Sequence, residues 1–142
     1  MPILVDSNVI LDMVNQDPVW FEWSRAALEN HAADGLVANA MIYAELCSNA
    51  ETPREVDDLL QAMEIVVLEI PRDALFLAAK AHVAYRRRGG SRTSALPDFF
   101  IGAHAKVAGL PILTRDQARY RSYFPTVPLV CPGVTPPDGN LA

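Results

Sequence analysis

The sequence predicts an α/β domain built on a mostly parallel sheet of five strands. Two observations carry that reading. Short apolar runs recur at residues 3–5, 36–38, 65–68, 111–113 and 127–130. Their length and β-branching favour buried strands. Segments with helical spacing separate them, and strands that alternate with helices imply right-handed crossovers and parallel pairing. The chain has 142 residues, of which 51% are hydrophobic and 20% charged. That suits one domain with a core of its own.

Each element has a local justification. Ile3-Leu4-Val5 ends at Asp6, and Ser7 or Asn8 can cap a helix running to Asn15. Pro18 opens a second helix to about Ala33, and Asp34-Gly35 ends it. After the second strand, Asn39 caps a helix to about Ser48. Thr52-Pro53 starts the next, which ends near Met63. Pro71 and Asp73 precede a long helix from Ala74 to Arg88. Gly89-Gly90 breaks it, and residues 91–95 form a polar loop. Pro97-Asp98 begins a helix to about Ala108, which Gly109 closes as a C-terminal glycine. Thr114 and Gln117 suit a capping box on a short helix to Tyr123. Residues 1–132 read as the domain, and residues 133–142 as a loose Pro/Gly-rich tail.

Composition excludes several classes. Cys47 and Cys131 are the only cysteines, too few for a disulfide framework or a zinc site of their own. No apolar run is long enough to span a bilayer, and Met1–Val5 is too short for a signal peptide, so the expected location is the cytoplasm. There is no P-loop, G-x-G-x-x-G or G-x-S-x-G. The net charge is −5, yet its distribution is uneven. Residues 1–79 hold 14 acids and 3 bases, whereas residues 80–121 hold 9 bases and 2 acids. Lys80, Arg86, Arg87, Arg88, Arg92, Lys106, Arg115, Arg119 and Arg121 therefore form a basic stretch that can steer a polyanion. A solvated helix face plus a charged loop is the plainer reading of the same residues.

In open α/β sheets, ligands sit outside the carboxyl ends of the strands. Asp6 follows the first strand and Asp116 the fourth. Asp98 lies in the first turn of the helix that feeds the fourth strand. Glu45 lies on the helix after the second. These four can meet at one sheet edge if the first and fourth strands are neighbours. Asp6 also fits a simple strand-to-helix turn, and Asp98 and Asp116 also suit helix dipoles. Glu45 is harder to dismiss, because Met41, Ile42, Leu46 and Cys47 surround it and no base lies within a helical turn. A carboxylate on so apolar a helix needs a partner or a metal. Four gathered carboxylates would repel one another, and a divalent cation removes that conflict. Oxygen-only ligands select Mg²⁺ or Mn²⁺. Such an ion can activate water and stabilise charge on a phosphodiester.

The residues also resemble a known family. Val5-Asp6-Ser7-Asn8-Val9-Ile10-Leu11-Asp12 resembles the opening motif of PIN-domain nucleases. Leu96-Pro97-Asp98-Phe99-Phe100-Ile101-Gly102-Ala103-His104-Ala105 resembles their third acidic motif. Gly109-Leu110-Pro111-Ile112-Leu113-Thr114-Arg115-Asp116 resembles their fourth, and Glu45 matches their second acid. The short length is similar to that of VapC-type toxins of toxin–antitoxin pairs. The resemblance implies a three-layer domain with a five-stranded parallel sheet between helices. It implies that Asp6, Glu45, Asp98 and Asp116 bind metal and carry catalysis, with Asn8 and Thr114 in support. It further implies Mg²⁺-dependent cleavage of RNA leaving a 5′ phosphate, a VapB-type antitoxin partner and a homodimer. Arg86, Arg87, Arg88, Arg92, Arg115 and Arg119 are the candidate phosphate contacts.

Other residues have plainer roles. His104 reads as a satisfied, half-buried histidine, Cys47 as a core thiol, and Phe99 and Phe100 as core. Tyr120 and Tyr123 suit either base stacking or sealing the sheet edge. Trp20, Phe21 and Trp23 suit either core packing or a protein partner. Two rival functions remain. A phosphatase or receiver-like phospho-acceptor also uses an aspartate after the first strand, but the first wants an acid at position 8, where Asn8 stands. The second wants paired acids at the first strand end and a lysine after the last strand. A catalytically weak RNA-binding or regulatory PIN module is the other rival, and retention of four carboxylates argues against it.

Overall fold

The computed structural model describes residues 1–89 and 96–133. Its centre is β1 (Ile3–Val5), whose three residues are all buried. Five strands form one sheet in the order β3-β2-β1-β4-β5, and every pairing is parallel. The other strands are β2 (Leu36–Asn39), β3 (Ile65–Leu68), β4 (Ile112–Leu113) and β5 (Leu129–Val130). Leu4 is the register point, facing Val37 on one side and Ile112 on the other. The α/β class with a parallel five-stranded sheet is therefore as the sequence predicts. β3 is an edge strand, which leaves Val66 and Val67 exposed.

The helices are α1 (Ser7–Val14), α2 (Phe21–His31), α3 (Ala40–Cys47), α4 (Pro53–Ala62), α5 (Arg72–Arg87), α6 (Leu96–Ala108) and α7 (Ala118–Arg121). From β1 the chain builds outward through β2 to β3, then returns to the other side of β1 as β4. Right-handed crossovers place the helices of the outward and return journeys on opposite faces, giving three layers. α1 packs against α2 and α3, and α5 packs against α6. The reversal leaves a crevice at the carboxyl ends of β1 and β4, the switch point where such sheets bind ligands.

Several boundaries differ from the sequence reading for local reasons. The cap of α1 is Asp6 rather than Ser7 or Asn8, and its carboxylate accepts from the Ser7 N–H at 2.8 Å. Pro18 does not open α2. The Asp17 carboxylate accepts from the N–H groups of Val19 and Trp20, both at 2.9 Å, and this Asx-type turn delays the helix to Phe21. That helix ends at His31 in a 3₁₀ turn, Ala32–Asp34. The Asn39 cap is present, with its Oδ1 accepting from Met41 and Ile42. The Thr114–Gln117 capping box is absent, because Gln117 makes no side-chain cap bond and Thr114 is engaged elsewhere. β5 is shorter than expected, Leu129–Val130 alone. Gly109 takes a positive φ of 69° after α6, as a closing glycine does. The loop at residues 91–95, Gly90 and most of the tail lie outside the described residues.

Candidate active site

Asp6 leaves β1 at the switch point and is fully buried. Its backbone N–H donates to Leu113 of β4 at 2.8 Å, which ties it to the neighbouring strand. Its carboxylate is dense with donors. Oδ1 accepts from the Ser7 N–H at 2.8 Å and from Arg119 Nη1 at 2.7 Å. Oδ2 accepts from Thr114 Oγ1 at 2.8 Å, Tyr120 OH at 2.9 Å and Asn8 Nδ2 at 3.4 Å. Burial pushes the Asp6 carboxyl above its ordinary pKa, against the pull of Arg119, Thr114 and Tyr120. Burial likewise pushes the Tyr120 phenol well up, with the Asp6 charge adding to it. Tyr120 is fully buried with its OH on Asp6, so it has no face open for stacking on a base.

Glu45 reaches the same place from α3. Its Oε1 accepts from Ser7 Oγ at 2.7 Å and its Oε2 from Arg119 Nη2 at 3.0 Å. Asp98 reaches it from the first turn of α6, and its Oδ1 accepts from Arg119 Nε at 2.7 Å and from Nη2. One guanidinium thus bonds three carboxylates that are far apart in sequence. Desolvation alone would lower the Arg119 pKa. The Asp6 charge and the hydrogen-bonded Asp98 carboxylate outweigh it and hold Arg119 firmly protonated. Sequence reading found no partner for Glu45 because the partner lies 74 positions away.

Asp116 stands apart from this trio. It follows Thr114 by two residues at the end of β4, and its N–H donates to Thr114 Oγ1 at 3.0 Å. Its side chain is exposed. Asn8 bridges α1 to the β4 end, donating to Thr114 Oγ1 at 3.3 Å and accepting from the Arg115 N–H at 3.2 Å. Arg115 is committed to the fold. Its Nε and Nη2 donate to Asp12 Oδ2 and Oδ1 at 2.8 and 3.0 Å, and its guanidinium lies over the Trp20 ring at 5.2 Å. Asp12 is buried and also accepts from Ser24 Oγ at 2.6 Å. Sequence reading missed the buried Asp12–Arg115 pair and the bonds of Ser7 to Glu45 and of Tyr120 to Asp6, since nothing local marks a partner contributed by another element. Arg86, Arg87 and Arg88 are exposed at the end of α5, and Arg88 lies over the Tyr123 ring at 5.6 Å. Arg92 lies outside the described residues.

The donor set fits a hard divalent cation. Asp6 Oδ1, Glu45 Oε2 and Asp98 Oδ1 already converge on a single positive group, and all are carboxylate oxygens. The guanidinium is the stand-in cation. Among the described residues no three acids, histidines or cysteines form a closed metal-ligating group as they stand. The Arg119 fork spaces the carboxylates to its own width.

The fold is similar to that of several solved structures. A chain of VapBC2 from Rickettsia felis, bound to a DNA fragment from its promoter, superposes with a TM-score of 0.70 at 15% identity, covering 92% of this chain and 98% of that one. A chain of VapBC-1 from nontypeable Haemophilus influenzae gives 0.69 at 15%, with 92% and 98% covered. A chain of FitAcB from Neisseria gonorrhoeae gives 0.63 at 22%, with 91% and 96% covered. Comparison with curated protein sequences gives no match. A family model described as the PIN domain matches residues 3–124, so the chain belongs to the PIN-domain family, whose members are generally nucleases.

Proposed function

We propose that this protein is a divalent-metal-dependent endoribonuclease, the toxin of a VapBC-type toxin–antitoxin pair. The observation that carries the reading is the convergence of Asp6, Glu45 and Asp98 on one cation at the crevice between β1 and β4. In this reading the three carboxylates hold Mg²⁺ or Mn²⁺, and Asp116 joins them from the end of β4. The ion supplies charge stabilisation for a phosphodiester and activation of water. The chain's own residues do the rest. Thr114, Tyr120 and Asn8 fix the rotamer of Asp6, and Ser7 fixes Glu45. Arg86, Arg87 and Arg88 bind flanking phosphates. Arg115 has a smaller part, because Asp12 occupies it.

The toxin reading draws support from the toxin–antitoxin complexes to which the fold is similar. A VapB-type antitoxin that covers the crevice, and a homodimer of the chain, follow from the same reading. Exposed Leu75, Phe76 and Val83 on α5 are apolar surface that a protein partner can bury.

Incubation with total RNA, with and without EDTA, followed by mapping of cut ends, tests the activity. Cleavage that stops with EDTA and leaves 5′ phosphates is expected. Asp98→Asn keeps the side-chain shape and removes a charged ligand. Its cleavage rate should fall by at least about 10²-fold, the scale of a lost charge-stabilising group. A rate equal to the parent's in Mg²⁺ would overturn the assignment.

A further inference from the structure

Arg119 and a divalent cation at this site compete for the same carboxylates. The guanidinium takes Asp6 Oδ1, Glu45 Oε2 and Asp98 Oδ1, and its side chain is only 15% exposed. A metal drawing on those oxygens would stand against a buried, permanently charged group. Two like charges in one low-dielectric pocket repel strongly. The carboxylates can therefore serve one or the other.

We propose that Arg119 is a built-in counter-ion that holds the acidic crevice shut without metal and is expelled from it when a divalent cation enters. The inference rests on the metal-site reading above and adds a lock to it. The geometry is that of a plug. Three nitrogens of one rigid fork each have a carboxylate partner, and the three partners come from the β1–α1 junction, α3 and α6. A planar guanidinium suits such a set better than an ammonium does. The plug also has a way out. α7 is a single four-residue turn, and its N-cap, Gln117, makes no side-chain cap bond. The guanidinium lies 5.5 Å from the Tyr120 ring, and the arginine side chain keeps some solvent exposure. Rotation about the side-chain torsions frees the fork without moving β1 or β4.

Two consequences follow. The chain offsets part of the crevice's negative charge by itself and folds without metal. Its apparent metal affinity is the intrinsic affinity multiplied by the fraction of molecules in which the fork is out. An expelled Arg119 then stands at the crevice mouth, where an incoming phosphate would meet it.

The test uses the full chain, Mn²⁺ alone, and free-ion electron paramagnetic resonance to read binding. The parent, Arg119→Ala and Arg119→Lys are compared, with circular dichroism to verify folding and melting in EDTA as a second readout. Arg119→Ala is expected to bind Mn²⁺ at least about tenfold more tightly than the parent, within the usual range of coupling between sites. It should melt lower in EDTA and gain more from Mn²⁺. Arg119→Lys keeps a cation but loses the fork, and should fall between. If the alanine variant does not fold without metal, the lysine variant decides. In the parent, the Arg119 Nε–H resonance should lose its hydrogen-bonded position on saturation with Mg²⁺. Folded variants that bind Mn²⁺ only as tightly as the parent, or an Nε–H signal unmoved by saturating Mg²⁺, would overturn the lock and leave the metal site standing. Folded parent and variants that all ignore Mn²⁺ would overturn the metal reading and the lock with it.

Discussion

His104 Nδ1 lies 3.0 Å from the Asn39 side-chain nitrogen, and both residues are fully buried. The Asn39 carbonyl oxygen already accepts from Met41 and Ile42, so its amide must donate to His104. The imidazole is therefore an acceptor at Nδ1 and neutral. Burial lowers its pKa below the ordinary 6.5. The bond joins the cap of α3, which carries Glu45, to α6, which carries Asp98. The sign follows from the direction. The folded protein resists protonation, so this contribution to stability is complete above pH 6.5 and is lost as pH falls below it. Against His104→Gln, which does not titrate, the parent should lose up to about 1.4 kcal/mol more per pH unit below that point. Urea midpoints measured from pH 7.5 to pH 5 check this, and parallel curves would disprove it. The sequence showed a histidine satisfied somewhere. It could not show that the partner was Asn39, because the two are 65 positions apart.

At the scale of one element, α6 is the helix that must not move. It presents Asp98 to the crevice, and its face from Phe99 to Ala105 is buried except for the half-buried Phe100. Gly102 is its point of closest approach. A Cβ there would meet the Phe124 ring at 2.3 Å, well inside any real contact. Phe124 is buried and sits in an aromatic cluster with Phe99, Tyr123 and Tyr85. Gly102→Ala gains helix propensity of about 1 kcal/mol, yet overpacking costs about 1–3 kcal/mol. The net outcome should be destabilisation, with α6 pushed off α7 and Asp98 drawn away from Arg119. Denaturant melts check the first part, and a melting point equal to or above the parent's would refute it. The sequence placed α6 and its closing Gly109 within a residue or two. It gave no hint that Gly102 is a packing glycine, since that depends on a ring 22 positions later.

For the whole molecule, charge is sorted in space as it is in sequence. Asp6, Glu45 and Asp98 share the single charge of Arg119, while Arg86–Arg88 project from the end of α5 into solvent. A polyanion approaching this protein meets those arginines first. Replacing all three with Gln should weaken RNA binding and reduce the slope of log affinity against log salt by up to about 2 for a single strand. An unchanged slope would remove them from the binding surface. The same three changes should leave stability nearly unaltered, as exposed charges contribute little.

Local sequence pattern was enough for the strand–helix alternation, the parallel sheet and most helix ends, and it marked the acids at the strand ends as the ones to inspect. These are legible because apolar period, caps and turn residues act over a few positions. Tertiary structure alone decided who neutralises whom. It brought Asp6, Glu45 and Asp98 onto Arg119, gave Asp12 to Arg115, and left Asp116 exposed two residues beyond the buried Thr114. Charge pairing at the switch point depends on which strands become neighbours, and β4 lies beside β1 although more than a hundred residues separate them. No local pattern encodes that adjacency. It arises when the buried faces of all five strands are satisfied together.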